Sequence, residues 1–259
     1  MSTIDKNAVT QNDIPQYLTT IRPGTVGEYV LLPGDPARCD RTARYLENAE
    51  LVANNREHRT FTGFYKGLRV SVCSTGMGCP SAAIATEELI HLGCKVFIRI
   101  GSTAAIKPGI RIGDLIVSTG AMKNEGTSRM YVPDAFPAVP DLELTHLLLT
   151  TARELEGRHP VHYGIGTTDD AFYAETPAFI DRVRSYGCIN LDMEASGIFT
   201  VAQQRGVRAA AIYGASANLA DAEITYADGT PEDGNTRLVD AWEREIQVAL
   251  ETMYRFSQR

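Results

Sequence analysis

The sequence predicts an α/β fold with a largely parallel or mixed sheet. Three observations predict it: short apolar runs recur along the chain, most of them end in Gly, Ser or Thr, and amphipathic stretches separate them. Strands that alternate with helices are typical of a sheet covered by helices. Ligands of such sheets bind beyond the carboxyl ends of the strands, so we expect the functional site among the small polar residues that end the runs.

Each apolar run is interpreted as a strand, and the small polar residues after it as a turn. The predicted strands are 29–32, 70–73, 96–100, 115–117, 161–165 and 209–213. A helix is predicted after Asp35, which can cap it, because Pro36 suits the first helical position. A second begins near Pro80, where apolar residues recur on one helical face. Further helices are predicted at 144–155, 178–186, 195–205 and 231–256.

Length and composition limit the classes of function. The chain has 259 residues, of which 44% are hydrophobic, and we expect one domain over 1–259 with an N-terminal extension over 1–20. The net charge of −7 argues against a nucleic acid or a membrane as partner. There is no signal-peptide pattern or membrane-spanning run, and the five cysteines form no C-x-x-C pair. We therefore expect a cytoplasmic protein with reduced core thiols.

The run 96–103 carries one arginine, Arg99, near the end of an apolar strand. A guanidinium in such surroundings is costly unless it meets an anion. Gly101 permits a close approach to a ligand, and Ser102 and Thr103 offer hydroxyl groups. The pattern predicts a phosphate site. The alternative is a structural ion pair between Arg99 and a carboxylate.

The segment 32–38 is the second candidate for anion binding. Gly34 presents its amide beside a predicted helix N-terminus, a place that favours anions. Arg38 lies in the first turn of that helix, where the helix dipole disfavours a cation. A bound anion would offset that conflict, and the alternative is a solvated surface arginine.

The segment 74–89, STGMGCPSAAIATEEL, has two glycines two residues apart before a helix opened by Pro and Ser. It lacks the lysine of a P-loop and is not a G-x-G-x-x-G fingerprint. Over its full length it resembles the signature of the nucleoside phosphorylase family, which includes uridine phosphorylase and the hexameric purine nucleoside phosphorylases. Blocks at 32–38, 56–57, 98–104, 170–173 and 192–195 agree. The resemblance is closest to the uridine phosphorylase branch through 21–24, 125–128 and 136–139.

The resemblance implies a three-layer α/β/α fold with a central mixed, partly barrel-like sheet. It also implies phosphate-dependent cleavage of a ribonucleoside, with uridine or a related pyrimidine nucleoside as the first choice, to free base and ribose 1-phosphate. Inorganic phosphate would be a co-substrate, without a metal or organic cofactor. The implied catalytic residues are Arg99, Arg38 and Glu194. The implied contacts are Gly34, Arg38, Arg56, Arg99 and Ser102 for phosphate, Met193 and Glu194 for ribose, and Thr103, Ala104 and Phe172 for the base.

These residue types suit phosphorolysis. Arginines position phosphate by charge-assisted hydrogen bonds, and the phosphate charge can stabilise the oxocarbenium character that the ribose gains. The resemblance implies that Glu194 accepts hydrogen bonds from the ribose 2′- and 3′-hydroxyls. Alternatively, Glu194 faces solvent at a helix start. Arg56 matches an arginine lent across a dimer interface, so we expect a homo-oligomer with shared sites, assembled as a hexamer.

Three positions depart from the family pattern. The uracil-reading Gln-x-Arg is absent after Phe172 and Tyr173, Ala217 stands where purine phosphorylases carry a proton-donating Asp, and 16–19 lacks a histidine. Base recognition therefore matches neither known type. The alternatives are a purine or modified-nucleoside phosphorylase, a nucleosidase that uses water, and a silent nucleoside- or phosphate-binding relative. A nucleosidase would not need the three arginines together.

Overall fold

The computed structural model describes residues 14–224 and 232–259, with the backbone alone for 232–235. Its strands are β1 (Tyr29–Pro33), β2 (Glu47–Asn55), β3 (His58–Tyr65), β4 (Leu68–Cys73), β5 (Val96–Ala105), β6 (Leu115–Asn124), β7 (Val161–Asp169), β8 (Asn190–Asp192), β9 (Arg208–Asn218) and β10 (Glu223–Ile224). Its helices are α1 (Pro36–Ala43), α2 (Cys79–His91), α3 (Leu142–Glu156), α4 (Pro177–Ser185), α5 (Ala195–Arg205) and α6 (Glu232–Ser257).

The strands form one mixed sheet in the order β10-β9-β6-β7-β8-β5-β1-β4-β3-β2. An additional parallel pairing joins β5 to β9. This pairing closes β5, β9, β6, β7 and β8 into a ring, so the sheet is partly barrel-like. The mixed, partly closed sheet confirms the predicted fold class.

Helices cover both faces of the sheet, which gives three layers. On one face α2 and α5 pack against apolar residues that include Phe97 of β5. On the other face α1, α3 and α6 pack against Ile98 and Ile100 of the same strand. Successive side chains of a strand point to opposite faces, so Arg99 lies on the face of α2 and α5, whereas Ser102 lies on the face of α1 and α6.

The helix predictions are confirmed in their main features. Asp35 caps α1, because its carboxylate accepts a hydrogen bond of 2.9 Å from the amide of Ala37. The predicted helix at 195–205 coincides with α5. The predicted C-terminal helix is present as α6. Its first predicted residue, Pro231, and residues 1–13 of the predicted N-terminal extension lie outside the described residues.

Several predicted turns are wrong, because the strands continue through their glycines. Gly101 lies inside β5, Gly120 inside β6, Gly166 inside β7 and Gly214 inside β9. A side chain at Gly214 would place its Cβ only 3.0 Å from the Cβ of Ala241 in α6. Glycine here permits close packing of a helix on the sheet rather than a turn.

The hairpin of β2 and β3 was not predicted. Its first strand lies at the sheet edge and is mostly solvent-exposed, and it carries few apolar residues. Strands β8 and β10 are also new, and they have only three and two residues. The five cysteines are buried and unpaired, which confirms the prediction of core thiols. Among the described helices, none combines the length and apolar character that crossing a membrane requires.

Candidate active site

Four segments meet near the carboxyl end of β5. The turn after β1 joins the turn before α2, because the amide of Thr75 donates to the Pro33 carbonyl at 2.8 Å and that of Gly76 to the Gly34 carbonyl at 3.0 Å. Parallel pairing of β1 with β5 places Leu32 opposite Arg99. The fourth segment, 192–194, links β8 to α5. Two of the predicted turns and the predicted arginine strand are thus brought together with the segment 192–194.

The turn before α2 uses glycine in a conformation that other residues rarely adopt. Gly76 has φ of 69° and Gly78 has φ of 87°. The amide of Gly78, at the helix N-terminus, donates to Glu194 Oε1 at 2.8 Å. A helix N-terminus favours a negative charge, and in this chain the side chain of Glu194 supplies it. Glu194 is buried, so the alternative of a solvent-facing glutamate is wrong.

Arg99 is buried and contacts two carboxylates. Its Nη2 donates to Glu194 Oε2, and its Nε lies 3.5 Å from Asp192 Oδ2. Burial lowers the pKa of Arg99, but Glu194 and Asp192 outweigh it and hold that pKa above its ordinary value. Arg99 therefore stays charged. The ion pair left open as an alternative is present.

The pairing leaves part of the Arg99 guanidinium unsatisfied. Its Nη1 is buried and has no hydrogen-bond partner within the described part of the chain. A buried N–H without an acceptor is costly. The arginine can therefore accept a further anionic ligand while its pairing with Glu194 fixes its position.

Arg38 lies on the other face of the sheet and is also buried, so the alternative of a solvated surface arginine is wrong. Its Nη2 donates to Ser102 Oγ at 2.5 Å, and its Nη1 donates to Glu245 Oε1 at 3.3 Å. Its Cζ lies 4.4 Å from the ring centroid of Trp242, within the range of a cation–π contact. The structure thus brings together Arg38 and Ser102, as predicted.

Glu245 connects the two arginines electrostatically. It is fully buried, and its Oε2 accepts from the amide of Gly214 at 3.0 Å. Burial raises the pKa of Glu245 to about 8, although Arg38, the backbone amides and Arg99 act in the opposite direction. Both guanidinium groups therefore lie close enough to influence this carboxyl group.

The residues expected to contact ribose and base differ in burial and in their hydrogen bonds. Met193 is half-buried beside Glu194. The hydroxyl of Thr103 is used inside the protein, because it donates to the Leu191 carbonyl and accepts from Asn190. Ala104 is half-buried within β5. Their roles toward a base remain predictions.

Phe172 lies in a short 3₁₀ helix, Phe172–Ala174, that follows β7. Its ring is 59% exposed and contacts the edge of Tyr173, which is 98% exposed, with the ring centroids 5.2 Å apart. The aromatic pair is therefore available to a ligand or to another protein surface. Its place beside a nucleobase remains a prediction.

Arg56 is the one expected phosphate contact that the described residues do not bring to the other two arginines. It lies at the tip of the β2–β3 hairpin with φ of 53°, and it is exposed. The neighbouring Glu57 accepts from Ser81 Oγ at 2.7 Å, which anchors the tip against the start of α2. That hydrogen bond lowers the pKa of Glu57. The exposed Arg56 is therefore held in a tip that packs beside the start of α2.

Three contributors to the site were missed from the sequence. Asp192 contacts Arg99, and Trp242 and Glu245 contact Arg38 or Ser102. Trp242 and Glu245 lie in the amphipathic helix α6, which none of the sequence motifs includes. The only signal was an acidic residue and the single tryptophan on one face of that helix. Within the described ranges, no group of three or more His, Cys, Asp or Glu side chains is arranged to hold a metal ion.

Comparison with known proteins identifies the family of the chain. The family model described as "Phosphorylase superfamily" matches residues 28–253. The chain is 38% identical to a guanosine phosphorylase of Halorubrum lacusprofundi over 89% of this chain and 94% of that protein. It is 44% identical to a uridine phosphorylase of Thermococcus kodakarensis over 78% of this chain and 77% of that protein. The crystal structure of a uridine phosphorylase from Vibrio fischeri ES114 superimposes with a TM-score of 0.85 at 32% identity, covering 95% of this chain and 99% of that one.

Proposed function

The chain belongs to the phosphorylase superfamily, and from this premise we propose that it cleaves ribonucleosides with inorganic phosphate to give free base and ribose 1-phosphate. The observation that carries the proposal is the buried Arg99, whose Nη1 has no acceptor among the described residues although Glu194 fixes the other side of the group. A phosphate oxygen would satisfy it. Arg38 and Ser102 supply further donors from the other face of β5, near its carboxyl end.

The chemistry follows from the charges of this site. A phosphate oxygen forms a bond to C1′ as the bond from C1′ to the base nitrogen breaks, and the base takes the electron pair and then a proton. Arg99 and Arg38 bind and orient the phosphate. The negative charges of phosphate stabilise the developing oxocarbenium ion. Glu194, with one oxygen held by Gly78, accepts from the ribose hydroxyls. We propose that no metal or organic cofactor takes part.

We propose that the enzyme is a cytoplasmic homo-oligomer, assembled as a hexamer from dimers that share sites. Arg56 supports this proposal, because it is exposed at the tip of the β2–β3 hairpin. A partner subunit would receive it as the third phosphate arginine. The exposed rings of Phe172 and Tyr173 offer apolar surface that a partner subunit could cover.

Uridine or a related pyrimidine nucleoside is the first proposed substrate, and the relatives named uridine phosphorylase support it. A 6-oxopurine nucleoside is the second candidate. The segment 174–178 has no amide or guanidinium side chain to donate to the carbonyl oxygens of uracil. Its Glu175 carboxyl group suits the N–H donors of guanine instead. The relative named guanosine phosphorylase, which aligns over 89% of this chain, is consistent with this reading.

The test is release of free base from a panel of pyrimidine and purine nucleosides, with and without phosphate. Turnover that requires phosphate supports the proposal, and the preferred base decides between the two candidates. Turnover in water alone indicates a nucleosidase, and binding without turnover indicates a silent relative. Either of these two outcomes overturns the proposed reaction.

A further inference from the structure

The C-terminal helix α6 brings two side chains to the rear of the predicted phosphate residues. Trp242 and Glu245 are three positions apart and therefore lie on one face of the helix. That face packs on β5 and β9, the strands that carry Ser102 and Gly214. Neither side chain belongs to the set of residues that the family resemblance implied.

Trp242 contacts both Arg38 and Ser102. Its Nε1 donates to Ser102 Oγ at 2.9 Å, and its ring lies 4.4 Å from the Cζ of Arg38. Arg38 Nη2 donates to the same Ser102 oxygen at 2.5 Å. A serine hydroxyl has two acceptor lone pairs and one donor hydrogen. With both lone pairs engaged, Ser102 has only its O–H left to use, and a donor is what a phosphate oxygen requires.

Glu245 fixes the opposite side of the Arg38 guanidinium. One carboxyl oxygen accepts from the backbone amide of Gly214 at 3.0 Å, and the other accepts from Arg38 Nη1 at 3.3 Å. The backbone contact anchors the carboxyl group to β9. Glu245 therefore holds Arg38 in a fixed position relative to the sheet. The missing side chain of Gly214 allows α6 to approach this closely, since an added Cβ would lie 3.0 Å from Ala241.

Arg38 needs such support because of where it lies. It is a buried cation in the first turn of α1, where both desolvation and the helix dipole oppose it. The ring of Trp242 and the carboxyl group of Glu245 offset these costs before any phosphate arrives. A guanidinium that is already oriented loses less conformational entropy when it binds its ligand.

We propose that Trp242 and Glu245 are positioning residues for phosphate: they hold Arg38 and the hydroxyl of Ser102 in the geometry that binds the anion. The proposal rests on the proposed function, because it concerns the same phosphate site. It makes α6 a functional element, not only a layer of the core. A purely structural role would lower stability without a selective effect on phosphate.

The experiment compares Trp242→Phe, Trp242→Leu and Glu245→Gln with the wild type. The KM for phosphate is measured at saturating nucleoside, and the KM for nucleoside at saturating phosphate. The melting temperature is recorded with and without phosphate. The matched control is Glu251→Gln, which changes the same residue type on the same helix but contacts Tyr65, Lys66 and Arg255.

We expect Glu245→Gln to raise the KM for phosphate about threefold, because the hydrogen bond from Arg38 to an ionisable carboxyl group becomes a weaker one to a neutral amide. Trp242→Leu removes the ring and the N–H, whereas Trp242→Phe keeps a ring for Arg38. The KM for phosphate should therefore rise more in the Leu variant than in the Phe variant. The KM for nucleoside should change little, and Glu251→Gln should match the wild type.

An unchanged KM for phosphate in both Trp242 variants would overturn the positioning role, and these variants decide the question even if Glu245→Gln fails to fold. An equal rise in both KM values would also overturn it. If the wild type shows no phosphate-dependent turnover, the proposed function fails. The positioning role then stands only if phosphate raises the melting temperature of the wild type and not that of the Trp242 variants.

Discussion

The predicted phosphate end, with Arg38, Arg99 and Glu194, and the predicted base end, with Phe172, are built differently. At the phosphate end Arg38, Arg99 and Glu194 are buried, and each is held by partners on at least one other element. At the base end Phe172 and Tyr173 stand exposed on a single 3₁₀ turn. The contrast indicates that the core fixes the residues expected to bind phosphate, whereas it does not constrain the segment expected to contact the base.

The largest expected effect is that of Arg99→Ala at the phosphate end. We expect kcat/KM to fall by about a thousandfold or more, because the variant loses a preorganised charge at the reacting anion. It also leaves Glu194 and Asp192 without a cation, so a lower melting temperature is expected. Arg99→Lys keeps the charge and serves as the folding control. Near-normal phosphate-dependent activity in Arg99→Ala would contradict the assigned role, and the exposed Arg158 provides the matched surface control as Arg158→Ala.

A second prediction concerns the shared site. Arg56→Ala and Arg99→Ala should each be inactive alone. When the two variants are mixed and allowed to exchange subunits, they should recover about a quarter of wild-type activity. Random pairing makes about half of the two-fold dimers mixed, and each mixed dimer has one intact site of two. The measurement is phosphorolysis before and after mixing. Absence of any recovery, with exchange verified by a labelled subunit, would show that Arg56 does not act across an interface.

Glu194→Gln should lower kcat/KM by on the order of a hundredfold, since a charge-assisted hydrogen bond to ribose becomes a neutral one. The substrate provides the control. A 2′-deoxynucleoside lacks one of the two hydroxyls, so the substitution should cost it less than it costs the ribonucleoside. An equal fall of kcat/KM on both substrates would contradict a contact between Glu194 and the ribose hydroxyls.

At the base end, Phe172→Ala should raise the KM for nucleoside by about tenfold, which is the usual value of one aromatic stacking contact to a base. The KM for phosphate should stay at the wild-type value, because the ring touches none of the phosphate residues. Steady-state kinetics with each substrate varied in turn measures both. A rise in the KM for phosphate alone would refute the division of the site into two ends.

The smallest expected effect is a pH-dependent rise in melting temperature when Glu175 is replaced by Gln. Burial, with a smaller contribution from Asp169, raises the pKa of Glu175 to about 7. The folded state thus favours the protonated carboxyl group, so its contribution to stability is present below about pH 4 and is lost as the pH rises through 7. Glu175→Gln should therefore raise the melting temperature by a few degrees at pH 8 and less at pH 5. The same gain at both pH values would argue against a shifted carboxyl group.

The sequence could predict the charged residues of the phosphate end because each breaks a local rule. Arg99 is a cation in an apolar strand, and Arg38 is a cation in a first helical turn. Glu245 and Trp242 break no such rule, and they reach the site only because α6 packs back on the sheet far along the chain. Their function depends on tertiary contacts that periodicity does not encode.

The errors in the predicted strands have a similar cause. Glycine after an apolar run is compatible with a turn and with a close approach of neighbouring elements. At Gly76 and Gly78 the positive φ angles show the first use, and at Gly214 the proximity of α6 shows the second. The edge hairpin that carries Arg56 was missed because a strand with few buried residues lacks an apolar pattern.

The most direct test of the central claim is a crystal structure of the protein with inorganic phosphate. We expect the anion to contact Arg99 Nη1, Arg38 and the Ser102 hydroxyl, with Glu194 still bonded to the amide of Gly78. An empty site at saturating phosphate would contradict the claim. In that result Arg99 would contact only Glu194 and Asp192, and Arg38 would keep Glu245 as its anionic partner.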